Sequence, residues 1–181
     1  MNIGRFGLAF ILLTLSTSSL GSDRLPSAGD VLAEAQTQAT KEHKNILLIF
    51  SASWCGPCHE LEEFLENSQI SPIINKHFVV ARLAAAEEFG PKHEPNSPGA
   101  ESLLRKYGGA GGSVPFFVFL DSSGQLIINS NRPASNKPEG ENIGYPAEPG
   151  EIDWFLNMLR KGAPSLTRDD LLTIEKVLRN A

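Results

Sequence analysis

The sequence predicts an α/β domain: one central mixed four-stranded sheet flanked by helices, with an extra C-terminal helix. Three observations predict it. Strand-length segments rich in apolar residues stand at 45–50, 77–83 and 114–120, and the continuous run at 45–50 suits a strand buried on both faces. Amphipathic segments of helical period alternate with these runs and close the chain. The turn sequence Asp121-Ser122-Ser123-Gly124 follows the third run and sends the chain back as an antiparallel partner. At 181 residues, 41% hydrophobic and 20% charged, the chain suits one globular domain with its own core.

Arg5, the apolar run 8–15 and a Ser/Thr stretch have the build of a secretory signal peptide, with Ser19-Leu20-Gly21 placing small residues before a cut after Gly21. The run falls short of the ~20 residues that span a bilayer. The alternative is an uncleaved N-terminal membrane anchor. No cysteine lies near the cut, so a lipid anchor is not supported. The expected organisation is a signal peptide at 1–21 and one domain at 22–181, with its core at about 29–162 and a last helix at about 167–180. The chain is therefore expected to be secreted or periplasmic, with no stable span once the peptide is cleaved. Cleavage removes one base, Arg5, and no acid, moving the net charge from −5 to −6. Such an acidic domain has no footprint for nucleic acid or an anionic membrane surface.

Residues 22–28 read as a polar leader and 30–44 as a helix with Val31, Leu32, Ala35 and Ala39 inward. After the first strand, 55–66 reads as a helix with Leu61, Phe64 and Leu65 inward, and 72–76 as one more turn. The Pro- and charge-rich stretch 87–99 reads as an exposed insertion, and 100–107 as a short helix stopped by Gly108-Gly109. The segment 108–112 is Gly-rich but follows its helix and lacks Lys-Ser/Thr, so it is no phosphate loop. Residues 125–129 return as a strand. Residues 131–148, with Pro133, Pro138 and Pro146, read as a long loop. Pro149 opens a helix through 161 with Ile152, Phe155, Leu156 and Leu159 inward. Thr167 and Asp170 form a capping box for the last helix.

Both cysteines lie in Ser51-Ala52-Ser53-Trp54-Cys55-Gly56-Pro57-Cys58-His59-Glu60. Cys-x-x-Cys reads as a redox disulfide, and Cys-x-x-Cys-His also reads as a c-type haem attachment. Haem would use His59 as axial ligand, but the only other methionine besides Met1, Met158, sits in an amphipathic helix and reads as core. Zinc would need a second close ligand pair, which the sequence lacks. A Cys55–Cys58 bridge closes almost no loop, so its value is chemical rather than structural. The motif follows a buried strand and opens a helix. Unpaired N–H groups and the dipole at a helix start stabilise a thiolate. That assigns Cys55, expected to be partly exposed, as attacking nucleophile, and Cys58, one turn on and more buried, as resolving thiol. Pro57 suits the first turn. His59 reads as exposed; protonated, it would modestly raise thiolate character.

Trp54-Cys55-Gly56-Pro57-Cys58 after a buried strand, with Ser113-Val114-Pro115 ahead of a second, resembles the thioredoxin superfamily. The resemblance covers roughly 45–129 and the helix after Pro149. It implies a thioredoxin-like fold, a catalytic set of Trp54, Cys55, Gly56, Pro57, Cys58 and a cis-Pro115, and substrate contacts at Ser113 and Val114. It implies a thiol–disulfide oxidoreductase, with Gly-Pro between the cysteines pointing to a reductase. It further implies disulfide- or thiol-bearing protein substrates, a thiol protein as electron donor or acceptor, and no cofactor or metal. The alternative is a redox-inert binding module using the same groove. The chain departs from thioredoxins proper in several respects, among them segments 87–99 and 131–148 that are longer than a minimal member needs. Ile49 stands where they bury an aspartate, so proton transfer to and from Cys58 must use water, another acid or the substrate. Arg82 lies where they place a lysine.

Overall fold

The computed structural model describes residues 25–110 and 112–181; the expected signal peptide lies outside the described residues. The element order is α1 Ala28–Glu42, β1 Asn45–Ser51, α2 Gly56–Glu66, α3 Ser71–His77, β2 Phe78–Ala84, α4 Ala100–Lys106, β3 Phe116–Leu120, β4 Leu126–Asn129, β5 Asn131–Ala134, β6 Lys137–Asn142, α5 Pro149–Gly162 and α6 Arg168–Arg179. A 3₁₀ turn, Glu87–Phe89, follows β2.

The main sheet has the order β2-β1-β3-β4. β1 runs parallel to β2 and antiparallel to β3, and β3 is antiparallel to β4. This is the expected mixed four-stranded sheet. Alternating side chains of β1 explain why its apolar run is unbroken. Ile46, Leu48 and Phe50 pack toward α1 and α4 with Val118 and Leu120, while Leu47 and Ile49 pack toward α2, α3, α5 and α6 with Phe117 and Phe119. Helices on both faces leave no solvated side that would call for polar residues. Phe155 fills the second layer, edge-on to both Phe64 and Phe117. Met158 is fully buried in that layer.

Most boundaries shift by a residue or two from the sequence reading, and three shifts have a visible cause or consequence. α1 starts at Ala28, because Ser27 caps it: its Oγ accepts from Asp30 N–H at 3.1 Å while Asp30 reaches back to the Ser27 N–H. It stops at Glu42, since His43 takes a left-handed conformation at φ 56°. β3 begins at Phe116, leaving Val114 and Pro115 in the preceding loop.

The larger correction concerns 131–148. Its first part is a second, two-stranded sheet of β5 and β6, pairing Asn131 with Asn142 and Arg132 with Glu141. Pro133 sits where the register shifts, and a two-stranded ribbon has a free edge on each strand, so a residue without an N–H costs no ladder bond there. Gly140, at φ 83°, lies 2.8 Å from the Arg132 carbonyl at its Cβ position, which admits no larger residue.

Candidate active site

β1 ends at Ser51 and delivers the chain to α2 across four residues. Cys55 is the N-cap of α2: its backbone is extended (φ −89°, ψ 106°) and its Sγ lies 3.2 Å from the Cys58 N–H. Pro57 sits in the first turn, where its absent N–H has no intrahelical partner to lose. A disulfide joins Cys55 and Cys58, with Cα atoms 5.2 Å apart. The two sulfurs are therefore bonded to each other, and His59 directs Nε2 at the Ser53 carbonyl, 3.0 Å away.

The expectation that Cys55 is partly exposed is corrected: both cysteines are 2% exposed. The cover comes from the chain's other half. Val114 packs on Ala52, Cys55 and Cys58, and its carbonyl oxygen is 3.4 Å from Cys55 Sγ. The Val114–Pro115 peptide bond is cis. Cys55 Sγ thus lies between a helix N-terminus, which favours a thiolate once the bridge is reduced, and a carbonyl oxygen, which opposes one and accepts from a thiol.

The residues flanking the motif are held from the segment after β2. Trp54 donates its Nε1–H to the Ala86 carbonyl at 2.9 Å, and its ring lies over Gly90, where a Cβ would come within 2.2 Å of Cδ1. Glu87 accepts from the Ser53 N–H and Ser53 Oγ, both at 2.8 Å. Glu87 is 4% exposed and Gly90 is buried, so the reading of 87–99 as an exposed insertion is corrected at its head. The inward turn follows from Ala86, which takes a left-handed conformation (φ 63°), and from Asn96 Oδ1, which accepts from the Glu87 N–H. Phe89, next but one, remains exposed. A cleft of about 170 Å³ beside Trp54 is lined by Ser53, Glu87, Gly90 and 91–94.

Ile49 is buried and stands in register with Arg82, which faces Glu62 of α2 at 3.6 Å. Ile49 packs in the apolar layer with Leu47, Leu61 and Phe117. The structure brings Cys55, Cys58, Trp54, Pro57 and the Ser113–Pro115 loop into one place. Sequence reasoning missed two residues that hold them, Glu87 and Asn142; a carboxylate at the head of an insertion, or an amide within one, carries no local signal.

A family model described as thioredoxin-like matches residues 28–122, so the chain belongs to that family. Three solved structures are similar in fold. A disulphide isomerase from Xylella fastidiosa Temecula1 is 18% identical, with 92% of this chain and 98% of that chain covered and a TM-score of 0.47. The C-terminal domain of DsbD from Neisseria meningitidis, in its oxidised form, is 20% identical, covering 59% and 84%, with a TM-score of 0.41. A DsbH oxidoreductase is 18% identical, covering 83% and 96%, with a TM-score of 0.43. Among the described residues, no helix is long and apolar enough to cross a membrane.

Proposed function

We propose that the chain is an extracytoplasmic thiol–disulfide oxidoreductase that reduces protein disulfides through the Cys55/Cys58 couple. In the reduced form, the Cys55 thiolate attacks one sulfur of a substrate disulfide. The substrate S–S bond breaks, a mixed disulfide forms, and one substrate thiolate leaves and takes up a proton. Cys58, deprotonated, then attacks Cys55 Sγ and releases the second thiol. Two electrons pass from the cysteine pair to the substrate, and the pair ends as the disulfide. A dithiol protein of the same compartment restores it. With Ile49 apolar, the Cys58 proton leaves to water or to the substrate.

One observation carries the reading: Cys55 caps α2 with its sulfur 3.2 Å from the Cys58 N–H, one turn from its bonding partner. The domain doing this work is 22–181, freed by removal of 1–21. Trp54, Gly56 and Pro57 shape the motif, and Ser113, Val114 and Pro115 hold the substrate chain. Reductive direction rests on the Gly-Pro spacer. Catalytic reduction of insulin by the purified chain, with a dithiol as electron source, tests the proposal. Cys55→Ser should remove turnover by on the order of 10³-fold or more. Cys58→Ser should accumulate a mixed disulfide on Cys55, visible as a mass adduct. A parent chain that reduces no insulin, together with a Cys55→Ser chain that keeps its binding partner, would leave only a redox-inert binding role.

A further inference from the structure

The β5–β6 hairpin ends on Asn142, whose side chain lies against the loop facing the disulfide. Its Nδ2 is 3.0 Å from the Pro115 carbonyl oxygen, 3.1 Å from Ser113 Oγ and 3.4 Å from the Ser113 carbonyl oxygen. Its Oδ1 accepts from Ser130 Oγ at 2.7 Å and from the Gly144 N–H at 3.3 Å. The partners fix the amide's orientation. Two carbonyl oxygens only accept and the Gly144 N–H only donates, so nitrogen must face the loop and oxygen the Gly144 side. Ser130 is fully buried, and its Oγ in turn accepts from the Phe117 N–H at 3.2 Å. One carboxamide therefore ties β6, β4's end and β3's start to the residues on both sides of Val114.

The consequence falls on Val114. Asn142 occupies the carbonyls before and after it, while the Val114 carbonyl faces Cys55 Sγ. Among the described residues, the Val114 N–H makes no hydrogen bond. A held backbone whose N–H makes no hydrogen bond among the described residues, and whose carbonyl faces the disulfide, is what an extended chain needs to add as a strand. A small disulfide makes no such backbone pairing.

We propose that Asn142 is a positioning residue for the reaction: it holds Ser113 and Pro115 so that Val114 can pair with an extended polypeptide bearing the substrate disulfide. The inference rests on the oxidoreductase reading for its kinetic consequence, but not for its structural one. Asn142→Asp keeps the size and the acceptor toward Ser130 and Gly144, but sets a carboxylate oxygen against two carbonyls. In the full chain, kcat/KM toward an extended disulfide-bonded peptide should fall about tenfold, chiefly through KM. Toward 5,5′-dithiobis(2-nitrobenzoate) it should fall no more than about twofold, on the same reasoning. Ser113→Ala, which removes one contact, should show a smaller loss of the same pattern. Independently of turnover, ¹⁵N relaxation of the oxidised Asn142→Asp chain should show the order parameters of Ser113 and Val114 dropping from about 0.85 toward 0.6. Equal losses with both disulfides would make Asn142 merely structural, and unchanged KM and order parameters would overturn its role altogether. If the parent chain reduces neither disulfide, the oxidoreductase reading fails, and the relaxation arm still decides whether Asn142 holds the loop.

Discussion

The two loops that meet at the disulfide are held by different chemistry. On one side, 52–54 is gripped from the segment after β2: the Glu87 carboxylate takes both the N–H and the hydroxyl of Ser53, and Trp54 lies across Gly90. On the other side, 113–115 is gripped by the neutral amide of Asn142, backed by the fully buried Ser130. The first side leaves aromatic surface outside, at Trp54 and Phe89. The second leaves a backbone N–H without a hydrogen bond among the described residues, at the half-buried Val114. The difference separates two tasks. An aromatic wall adds apolar contact with little demand on sequence, whereas a backbone edge demands an extended chain. Both grips come from segments that lengthen the chain beyond a minimal sheet-and-helix domain.

The largest effects should come from the centre shared by both sides. Cys55→Ser and Cys58→Ser should part as described above, one losing turnover and the other trapping substrate; identical behaviour of the two would remove the division of labour between them. Next is Gly90→Ala, directed at the Trp54 side. A Cβ there meets the indole at 2.2 Å, so the ring must move. Overpacking of this kind costs about 1–3 kcal/mol, measurable by urea unfolding. In a Trp154→Phe background, the emission of Trp54 should shift to the red as the ring leaves its seat. An unshifted spectrum would mean that Trp54 is not seated on Gly90.

Glu87→Gln should have a smaller effect. Its amide retains one acceptor for Ser53 and loses the other, at about 1 kcal/mol, and Glu87→Ala should cost about 2 kcal/mol by leaving the Ser53 N–H without its partner. Unlike Asn142→Asp, neither should separate peptide from small-disulfide kinetics, because Ser53 does not carry the substrate backbone. A Glu87 variant that did separate them would dissolve the contrast between the two sides.

The smallest effect lies at the sheet's far end. His77 is buried beside Ser165, with Nδ1 3.1 Å from its Oγ and Nε2 without a partner among the described residues. Burial, and then Lys76, lower its pKa below 6.5, with Asp170 opposing. The folded chain thus takes up its proton less readily than the unfolded chain. His77's neutral form favours folding above about pH 6.5, and that contribution is lost as pH falls through the unfolded value toward the folded one. Asp30, Asp121 and Asp170 have pKa values lowered by their hydrogen bonds, first of all to the Ser27, Ser123 and Thr167 hydroxyls respectively. These carboxylates act in a separate window: their stabilisation is present above the ordinary carboxylate value of 3.8 and is lost below it. A urea series against pH should therefore show a shallow loss starting near pH 6.5 that vanishes in His77→Gln, and a steeper loss in acid that does not. Neither should alter the contrast between the two loops.

Much of this architecture is legible in the sequence because burial on both faces writes itself as unbroken apolar runs. β1 and β3 are such runs, whereas β2 is interrupted by the exposed Arg82, and the motif is placed by the strand before it and the helix after it. The β5–β6 hairpin is not legible, because it is polar, short and interrupted by Pro133 and Pro138. A free-edged ribbon tolerates those prolines, whereas a sequence reading takes them as loop. Glu87 is obscured in the same way: it opens a charged stretch, and its burial depends on the turn at Ala86. The burial of Cys55 depends on Val114, 59 residues away, which no local pattern reports. The cap at Ser27 is readable, as Ser27-x-x-Asp30 has the form of a capping box.

The central claim is that Cys55 and Cys58 form a reversible dithiol–disulfide couple that does chemical work. The most direct test is to equilibrate the purified chain in graded thiol/disulfide buffers and read the oxidation state of both cysteines by alkylation and mass. The account predicts one two-electron transition in which both cysteines change together. A midpoint near about −270 mV would match the proposed reductive direction, and one near about −120 mV would reverse that direction while keeping the couple. A chain whose cysteines show no reversible two-electron transition would contradict the account.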